Sequence, residues 1–478
     1  MQQELLACPL VADPAQLDRA AVVAANETWS WRQVHEASIA LTRQIRGASA
    51  VCNLCSSRLA FLITLLATLR NRSLMVLPPS GSDTDIAAVL NAQPKAIVVG
   101  DAIEGVDPAC ESALRQGVYV HCRPEWKPCI ASAGELAWQP AWHALAVVLH
   151  TSGTTGEPQA QPKTLLQLAT GALRLGARLA AEIDGGLDRI DLLVCSVPAQ
   201  HMFGLECSVM LPLVFGTSVL DRRPLLPADV VAAFDEVRRG AWIATPMHLR
   251  SLVRSGAAAP TCAFALVSTM PLGHALACQS EQRLEAPVLE IYGSTETGAL
   301  AMRRTARETR WLPLDGVTLD PIEGATLARG AHFASPVPLL DEIVVQANGS
   351  FTLLGRQADL VKIAGRRASL AGLNLLLQDL PGLGDGVFYL PPTGNPAERL
   401  CLIYSGPPLE RASTRRWLRA RVDPVFLPRD FIRLDRMPRS ETGKLRLHAL
   451  DLAYSDWQAA ARPQRGKRSA ASHERALA

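Results

Sequence analysis

Residues 145–156 read LAVVLHTSGTTG, a short apolar run followed by a turn of glycines and hydroxyl residues. An amphipathic helical pattern then extends from Thr164 to about Ile183. A strand, a glycine-containing loop and a helix in this order are typical of one βα unit in a largely parallel sheet. This stretch therefore predicts an α/β fold.

The same alternation of short apolar runs and helical patterns continues to about residue 300. Each further run ends in a loop that contains Gly, Pro, Ser or Thr, and the runs cover residues 191–197, 241–245, 264–268 and 288–292. Ligands of open α/β sheets bind at the carboxyl ends of the strands. We therefore expect the functional residues to lie in these loops.

The pattern changes near residue 340. Residues 342–345 and 350–354 flank Asn348-Gly349, which is the two-residue turn signal of a β-hairpin. Shorter α and β patterns follow over residues 370–380, 387–390, 400–404, 413–421 and 431–434. The 478 residues also exceed what one hydrophobic core usually supports, so that a second domain is expected.

These patterns predict two domains and a tail. Residues 1–355 are predicted to form a large N-terminal domain with parallel-rich sheets and helices. Residues 356–460 are predicted to form a small, mobile α+β domain that is joined to it by a hinge. From about Arg462 the sequence is rich in Arg, Ala and Ser without apolar periodicity, which predicts a disordered tail over residues 461–478.

The composition indicates a well-packed globular protein. Apolar residues make up 48% of the chain, and 48 Lys and Arg against 45 Asp and Glu leave a formal net charge of +3. This balance gives no reason to expect nucleic acid or a membrane surface as a partner. The N-terminus lacks the features of a secretory signal, and the longest apolar run, residues 59–69, is too short to span a bilayer. We therefore expect a cytoplasmic protein without a transmembrane segment.

The eleven cysteines are scattered along the chain. Cys52 and Cys55 form a lone CxxC without a second pair at zinc-site spacing. A further group fits no standard metal spacing: Cys110, His121, Cys122 and Cys129. We expect these cysteines to be buried thiols, and a role in metal binding or redox chemistry is the alternative interpretation.

Three loops carry residues that are suited to phosphate and metal chemistry. In Thr151–Gly156 the glycines let the backbone approach an anion, and hydroxyl and N–H groups can donate to phosphate oxygens. This loop is not a Walker loop, because GxxxxGK is absent, and a flexible turn is its alternative reading.

The second and third loops each present one charged side chain. Residues 292–298 read YGSTETG, in which Glu296 could hold a magnesium ion through one carboxylate or could instead cap a helix. Residues 438–444 read PRSETGK and present Lys444 from a glycine-containing turn. Most lysines in such loops are solvated charges, so a role for Lys444 depends on the other two loops.

Together, in this order and at these separations, the three loops resemble those of the adenylate-forming superfamily. That superfamily comprises acyl-CoA synthetases, luciferases and the adenylation domains of peptide synthetases, and the resemblance covers about residues 20–455. It implies an enzyme, an AMP-forming acid–thiol ligase with ATP and Mg²⁺. Such an enzyme activates a carboxylic acid as its acyl-AMP and then passes the acyl group to a thiol.

The resemblance also implies roles for single residues. The loop that would surround the β and γ phosphates consists of Thr151, Ser152, Gly153, Thr154, Thr155 and Gly156. Tyr292, followed by Gly293 and Ser294, would lie against adenine. Thr295 would contact the α-phosphate and Glu296 would bind magnesium. Asp341 and Arg356, fifteen residues apart, match the pair that binds the ribose hydroxyls.

Further positions match the catalytic lysine, the hinge and the acid pocket of the family. Lys444 corresponds to the catalytic lysine, and Ala358 corresponds to the hinge residue. His201 corresponds to a catalytic-site histidine that lines the pocket for the acid. From motif position, the predicted pocket residues are His201, Phe203, Met247 and Gly298.

The chain departs from the usual family pattern at several positions. The phosphate loop usually continues with Pro-Lys, whereas this chain has Pro158-Gln159 and Lys163 as the nearest lysine. Ala358 stands where the hinge is usually Asp or Lys, and Gly372 and Asn374 stand in the helix that usually carries Glu. A catalytically weak nucleotide-binding relative is therefore an alternative to an active ligase.

Several segments look closer to the AMP ligases of aryl polyene and xanthomonadin-type pigment biosynthesis. They are residues 198–206 (PAQHMFGLE), 245–250, 355–374 and 424–429. This similarity implies a hydroxybenzoate-like aromatic acid as substrate and the phosphopantetheine thiol of an acyl carrier protein as acceptor. An aryl- or fatty-acyl-CoA ligase that uses free CoA is the alternative.

Overall fold

The fold was analysed in a computed structural model of the chain. The described residues are 8–11, 13–25, 27–101, 118–122, 131–151, 159–235, 237–323, 325–356, 360–363, 366–391, 399–439 and 445–474.

The strands of the described residues are, in chain order, β1 (Ala20–Val23), β2 (Thr28–Ser30), β3 (Ala50–Asn53), β4 (Leu74–Val76), β5 (Ile97–Gly100), β6 (Tyr119–His121), β7 (Leu145–Thr151), β8 (Gln159–Thr164), β9 (Leu192–Cys195), β10 (Ser218–Leu220), β11 (Gly240–Ala244), β12 (Cys262–Val267), β13 (Val288–Ser294), β14 (Gly298–Arg303), β15 (Leu312–Pro313), β16 (Thr318–Ile322), β17 (Ala325–Arg329), β18 (Val337–Leu339), β19 (Asp341–Val345), β20 (Phe351–Arg356), β21 (Leu360–Ile363), β22 (Arg366–Ser369), β23 (Asp385–Tyr389), β24 (Cys401–Ser405) and β25 (Asp430–Leu434).

The α-helices of the same residues are α1 (Trp31–Gln44), α2 (Arg58–Arg70), α3 (Asp83–Ala92), α4 (Ala133–Leu136), α5 (Leu165–Glu182), α6 (Met202–Leu205), α7 (Leu211–Phe215), α8 (Pro227–Ala232), α9 (Pro246–Ser255), α10 (His274–Leu284), α11 (Leu370–Leu377), α12 (Arg411–Arg419) and α13 (Leu447–Glu474).

The chain divides into two compact units. The larger unit consists of Met1–Ser268, Ala277–Leu339 and Val345–Thr352, and the smaller unit consists of Thr269–Leu276, Leu340–Val344 and Leu353–Ala478. The last piece of the smaller unit begins at Leu353, three residues before residue 356, where the second domain was predicted to begin.

Two large sheets form the frame of the larger unit. One has nine strands in the order β15-β14-β13-β12-β11-β9-β10-β1-β2, and the other has six in the order β6-β5-β3-β4-β7-β8. Neighbours from β13 to β1 pair in parallel, as do those from β6 to β7, while the outer pairs β13/β14, β14/β15, β1/β2 and β7/β8 are antiparallel. The predicted α/β fold with parallel-rich sheets is confirmed.

The predicted apolar runs are strands, but they do not all belong to one sheet. Four of them form β9, β11, β12 and β13 of the nine-stranded sheet, whereas the run at residues 145–149 forms β7 of the six-stranded sheet. All residues of β9 and β11 are buried, as expected for parallel strands that are covered on both faces. An apolar run predicts a buried strand but does not show which strand lies beside it. The sequence therefore did not predict that these strands belong to two sheets.

The helix predicted from Thr164 to Ile183 is present as α5. The Thr164 side chain accepts a hydrogen bond from the backbone N–H of Gln167, and the Gln167 side chain returns one to the backbone N–H of Thr164. This capping box fixes the start of the helix, which ends at Glu182. Its apolar stripe is buried and includes Leu165, Leu168, Ala172, Leu175 and Leu179.

A neutral histidine of α1 lies in the core. His35 is fully buried, and its Nε2–H donates to the carbonyl of Pro9 at 2.7 Å. The other ring nitrogen, Nδ1, therefore accepts from the Arg70 guanidinium at 3.2 Å. Burial lowers the pKa of His35 to about 4, and the neighbouring Arg70 charge acts in the same direction. One ring nitrogen donates a hydrogen bond and the other accepts one, and only the neutral ring can do both.

Two helices of the smaller unit pack on a three-stranded sheet. The sheet order is β23-β24-β25, in which β23 and β24 are antiparallel and β24 and β25 are parallel. The helices α11 and α12 pack on it through a buried apolar cluster that includes Leu377, Phe388, Leu402, Leu418 and Phe431.

Two further predictions concern the hairpin and the tail. The hairpin is present as β19 and β20, and Gly349 in its turn has φ +80°, which glycine adopts without strain. The tail differs from the prediction, because the backbone of α13 is helical through Glu474 where residues 461–478 were predicted to be disordered. Nine of residues 461–474 are Ala, Arg, Lys, Gln or Glu, which favour a helix, while Pro463 and Gly466 oppose one. None of the described helices has the length and apolar character needed to cross a bilayer.

Candidate active site

The loops after neighbouring parallel strands gather predicted site residues at one edge of the nine-stranded sheet. The strands β13, β12, β11 and β9 are consecutive in that sheet and parallel, so their carboxyl ends lie at the same edge. His201 and Phe203 follow β9, Met247 follows β11, and Thr295 and Glu296 follow β13. The larger unit thus brings the predicted pocket residues to the edge that carries the glutamate loop.

The glutamate loop is a tight turn between two antiparallel strands. The backbone N–H of Ser294 donates to Oγ1 of Thr297 at 3.0 Å, and the backbone N–H of Thr297 donates to Oγ of Ser294 at 3.3 Å. Thr295 and Glu296 at the tip of this turn are partly exposed. The next element is β14, which begins at Gly298, so the alternative in which Glu296 caps a helix is wrong.

Gly293 allows the two strands to approach closely beside this turn. It pairs with Ala299 in the β13/β14 ladder. A Cβ atom on Gly293 would lie 2.0 Å from the carbonyl oxygen of Gly298, which is a backbone atom that cannot turn aside. Glycine is therefore the residue that this register admits.

Three buried ionisable side chains hold the backbone of the turn and of the start of β14. The ammonium group of Lys163, on β8, donates to the carbonyl oxygen of Glu296. Oε2 of Glu206 accepts from the backbone N–H of Ala299 at 2.9 Å, and Nε2 of His332 bonds the carbonyl oxygen of Ala299 at 3.1 Å. Lys163 is 5% exposed, and Glu206 and His332 are each 3% exposed. We refer to Lys163, Glu206 and His332 as the buried network.

Burial and mutual charge set the protonation of the buried network. Burial raises the pKa of Glu206 to about 7, while the Ala299 N–H and the Lys163 charge oppose that rise. Burial lowers the pKa of Lys163, and the charges of Glu206 and Glu296 oppose that fall. Burial lowers the pKa of His332 to about 4, so the ring is neutral near pH 7 and donates through Nε2–H to a carbonyl that can only accept.

The sequence motifs did not identify Glu206 and His332. Glu206 begins a short π-helical segment, Glu206–Met210, between α6 and α7, and such segments are frequent at functional sites. One signal was present in the sequence, because Glu206 is the only acidic residue in the apolar stretch 201–220. His332 lies in a segment without any motif.

Glycines in the pocket segment and on α5 make room for this arrangement. A Cβ atom on Gly204 would lie 1.8 Å from the carbonyl oxygen of Pro198, so residues 198–204 can fold back on themselves only with glycine there. A Cβ on Gly171 of α5 would lie 2.9 Å from Oε1 of Glu206. Cε of Met202 lies only 3.1 Å from the position that a Cβ on Gly298 would occupy. The segment that carries His201 therefore packs against the glutamate loop.

Tyr292 is supported by a buried aromatic pair. Its ring centroid lies 5.5 Å from that of Trp311 and 5.6 Å from that of Phe351. Trp311 and Phe351 are buried, while Tyr292 is half-buried. The ring is therefore held from one side, and its contact with adenine stays a prediction.

The predicted ribose pair occupies the ends of one hairpin. Asp341 begins β19 and Arg356 ends β20, and a short connection between paired strands requires them to run antiparallel. The two residues therefore stand at the same open end of the hairpin. Thr151 is the last residue of β7. The remaining predicted residues lie outside the described residues: Ser152, Gly153, Thr154, Thr155, Gly156, Ala358 and Lys444.

The cysteines of the two candidate groups are buried where the structure describes them. Cys52, Cys55 and Cys122 are fully buried free thiols, and burial raises the pKa of Cys55 well above its usual range. A thiol with a raised pKa is a weak nucleophile and a weak metal ligand. Within the described ranges, no three His, Cys, Asp or Glu side chains are grouped to hold a metal. Cys110 and Cys129 lie outside those ranges.

Comparison with known proteins was made at the level of family, sequence and structure. A family model described as AMP-binding enzyme matches residues 12–322. The chain is 25% identical over 493 residues to the p-hydroxybenzoic acid–AMP ligase FadD22 of Mycobacterium tuberculosis, covering 90% of this chain and 65% of the relative. It is 24% identical over 360 residues to an L-proline–L-prolyl-carrier protein ligase of Streptomyces coelicolor, covering 64% of this chain and 66% of the relative.

The chain therefore spans less than two thirds of the length of these curated relatives. Among solved structures, the fold matches the o-succinylbenzoate coenzyme A synthetase of Bacillus subtilis in complex with ATP and a magnesium ion. The TM-score is 0.75 at 17% identity, with 92% of this chain and 98% of that chain covered.

Proposed function

The chain belongs to the family of AMP-binding enzymes, and we propose that it activates a hydroxybenzoate-like aromatic acid with ATP and transfers the acyl group to a carrier protein. In the first step the acid and ATP give acyl-AMP and pyrophosphate. In the second step the phosphopantetheine thiol of an acyl carrier protein takes the acyl group and AMP is released.

One observation supports this proposal most strongly. Thr295 and Glu296 stand at a sheet edge on a turn whose backbone is held by side chains from three other segments. Both side chains of the tip are partly exposed, while the groups that hold the backbone are buried. Preorganised groups of this kind stabilise developing charge without reorganising during the reaction.

The proposed chemistry is an in-line displacement at phosphorus. A carboxylate oxygen of the acid bonds to the α-phosphorus of ATP, and the bond from that phosphorus to the bridging oxygen breaks, so that pyrophosphate leaves with the electron pair. The nucleophile and ATP are both anionic, and Lys444 is proposed to offset part of that repulsion. The thiolate then attacks the acyl carbon, and AMP leaves as the anion.

The residues present suit a magnesium ion. A single partly exposed carboxylate, Glu296, offers hard oxygen ligands, and magnesium is usually held by one or two carboxylates together with substrate phosphates. Bound there, the ion would neutralise phosphate charge during the displacement.

The aromatic acid is supported by likeness and by the character of the pocket segment. The p-hydroxybenzoic acid–AMP ligase is similar over most of the chain, and the predicted pocket is lined by His201, Phe203, Met247 and Gly298. The likeness to a prolyl-carrier protein ligase supports a carrier as acceptor. The fold shared with a coenzyme A synthetase keeps free CoA as the second candidate acceptor.

The test is acid-dependent exchange of pyrophosphate into ATP. We expect 3- or 4-hydroxybenzoate to drive exchange and fatty acids not to do so, and we expect the acyl group to appear on holo carrier protein in preference to CoA. Exchange with fatty acids alone would refute the aromatic substrate, and thioester formation with CoA alone would refute the carrier. Nucleotide binding without exchange on any acid would identify a catalytically weak relative.

A further inference from the structure

The strand after the predicted phosphate loop is tied to the glutamate turn by a single buried lysine. Thr151 ends β7 and Gln159 begins β8, so residues 152–158 connect these two strands. Lys163 lies on β8 and pairs with Val147 on β7, and its ammonium group holds the carbonyl oxygen of Glu296. One side chain therefore links the strand pair that carries the phosphate loop to the turn that carries Glu296.

A lysine at this position is costly to the fold. Val147, its partner in the ladder, is fully buried, and an apolar side chain would satisfy the same environment. A buried ammonium group requires a compensating charge and hydrogen bond. Here Glu206 supplies the charge and the Glu296 carbonyl supplies the hydrogen bond. A buried lysine that contacts the turn at this cost to stability is better explained by a role in positioning the turn than by a role in stability.

We propose that Lys163, Glu206 and His332 are positioning residues that fix the Glu296 turn relative to the β7/β8 strand pair for the first step of the reaction. The inference rests on the proposed function and deepens it. It also gives Lys163 a role through the protein backbone, because its ammonium group donates to the carbonyl oxygen of Glu296.

The decisive variant is Lys163→Met, with Lys163→Arg as the conservative change and Lys95→Met as the matched control at an exposed lysine. We expect Lys163→Met to lower kcat for pyrophosphate exchange about 10²-fold, because a misplacement of about 1 Å costs that much in a positioned reaction. KM for the acid should change little. Lys163→Arg should recover part of the loss, and Lys95→Met should match the wild type.

Two further measurements separate positioning from folding. Transfer from supplied acyl-AMP to the thiol uses neither magnesium nor the Glu296 carboxylate in the proposed reaction, so Lys163→Met should reduce this transfer much less than it reduces pyrophosphate exchange. The affinity for ATP should be measured by calorimetry with magnesium and with EDTA. Magnesium should raise the affinity of the wild type for ATP, and Lys163→Met should lose most of that increase. The inference would be overturned if Lys163→Met exchanged pyrophosphate at the wild-type rate. It would also be overturned if exchange and transfer to the thiol fell equally and the melting temperature fell with them. Absence of exchange in the wild type would instead refute the proposed function.

A second, independent feature is an arginine-rich surface on the smaller unit. Residues 399–439 contain ten arginines, no lysine and four acidic residues, a net charge of +6, against +3 for the whole chain. Arginines at four-residue intervals on α12, Arg411, Arg415 and Arg419, follow one face of the helix at a spacing of about 6 Å. We call these three, with Arg399 and Arg429, the arginine face.

The arginine face surrounds a cleft of about 430 Å³ that is lined mainly by Arg399, Arg415, Arg419 and Arg429. Arg415 is fixed, because it donates to the carbonyl oxygens of Pro428 and Arg429 at 3.1 and 2.8 Å. Arg399, Arg419 and Arg429 are exposed, and no carboxylate of the described residues pairs with them. Like charges four residues apart destabilise a helix, and Arg411 and Arg415 offset part of that cost by lying over the ring of Phe431.

We infer that the arginine face docks an acidic surface of the carrier protein that the proposed function requires. A linear array of guanidinium groups beside a cleft fits an elongated acidic protein surface, such as a helix that bears carboxylates, and guanidinium groups bind carboxylates bidentately. The inference concerns the second step alone.

The test compares Arg419→Glu/Arg429→Glu with the control Arg46→Glu/Arg222→Glu, which changes the charge equally at exposed arginines of the larger unit. With holo acyl carrier protein of bacterial fatty-acid synthesis as probe, we expect kcat/KM for transfer to fall at least about tenfold only in the first variant, and its salt dependence to weaken. Pyrophosphate exchange and transfer to free pantetheine should be unchanged in both.

Equal transfer by both variants would overturn the docking inference and leave the adenylation proposal intact. Binding of duplex DNA or anionic vesicles through the same arginines, with no effect on the carrier, would assign the face to another partner. Failure of the wild type to use any carrier while pyrophosphate exchange proceeds would remove both the docking inference and the proposed acceptor.

Discussion

Replacing Gly293 with alanine should disable the first step while leaving most of the molecule folded. The new Cβ would lie 2.0 Å from the carbonyl oxygen of Gly298, whereas real Cβ contacts stay beyond 3.0 Å. The β13/β14 pair must therefore open by about 1 Å beside the Glu296 turn. Overpacking of this kind costs about 1–3 kcal/mol of unfolding free energy. A displacement of about 1 Å at a positioned group costs about 10²-fold in rate.

Pyrophosphate exchange and urea unfolding measure the two effects separately. The matched control is Gly81→Ala, because a Cβ on Gly81 meets no atom within 4 Å and the residue does not have a positive φ. We expect Gly81→Ala to exchange at the wild-type rate and Gly293→Ala to lose about two orders of magnitude at saturating acid and ATP. Wild-type exchange by Gly293→Ala would refute the claim that the register beside Gly293 sets the position of Glu296.

Arg303→Met should cost about 3–5 kcal/mol of unfolding free energy, because it removes the guanidinium partner of the buried Glu290 carboxylate, whereas Arg189→Met at an exposed pair should cost under about 1 kcal/mol in the same urea titration. His35 stays neutral in the fold, so the full contribution of its neutral ring to the free energy of unfolding is present above pH 6.5 and is lost as the pH falls toward 4. In unfolding measured against pH, the loss of stability toward pH 4 should be about 3 kcal/mol smaller for His35→Gln than for the wild type. Lys444→Ala should lower pyrophosphate exchange by about 10²-fold or more, and undiminished exchange would exclude Lys444 from the first step.

The features that the sequence predicted well are those set by local chemistry. The helix α5 begins and ends within one residue of its prediction, because Thr164 and Gln167 form a capping box within the first turn. The hairpin around Gly349 was predicted for the same reason, since its turn needs a positive φ that few residues other than glycine adopt. The position of the site loops at one edge of the sheet was predicted because the carboxyl ends of parallel strands lie at the same edge.

The features that the sequence missed depend on contacts between distant residues. Ala299 is 93 residues from Glu206 and 33 from His332, and Glu296 is 133 residues from Lys163. No periodicity or spacing rule joins residues at such separations, so the buried network required the fold. The separation of β7 from the other apolar strands was missed for the same reason, because pairing partners are not encoded in a single apolar run.

In the proposed first step the acid's own carboxylate oxygen bonds to the α-phosphorus of ATP. Hydroxybenzoate labelled with ¹⁸O in the carboxylate, supplied with ATP and the thiol acceptor, tests this step through the mass of the released AMP. We expect AMP that carries one labelled oxygen from the acid, with unlabelled pyrophosphate. Unlabelled AMP, or label in inorganic phosphate released beside ADP, would contradict it.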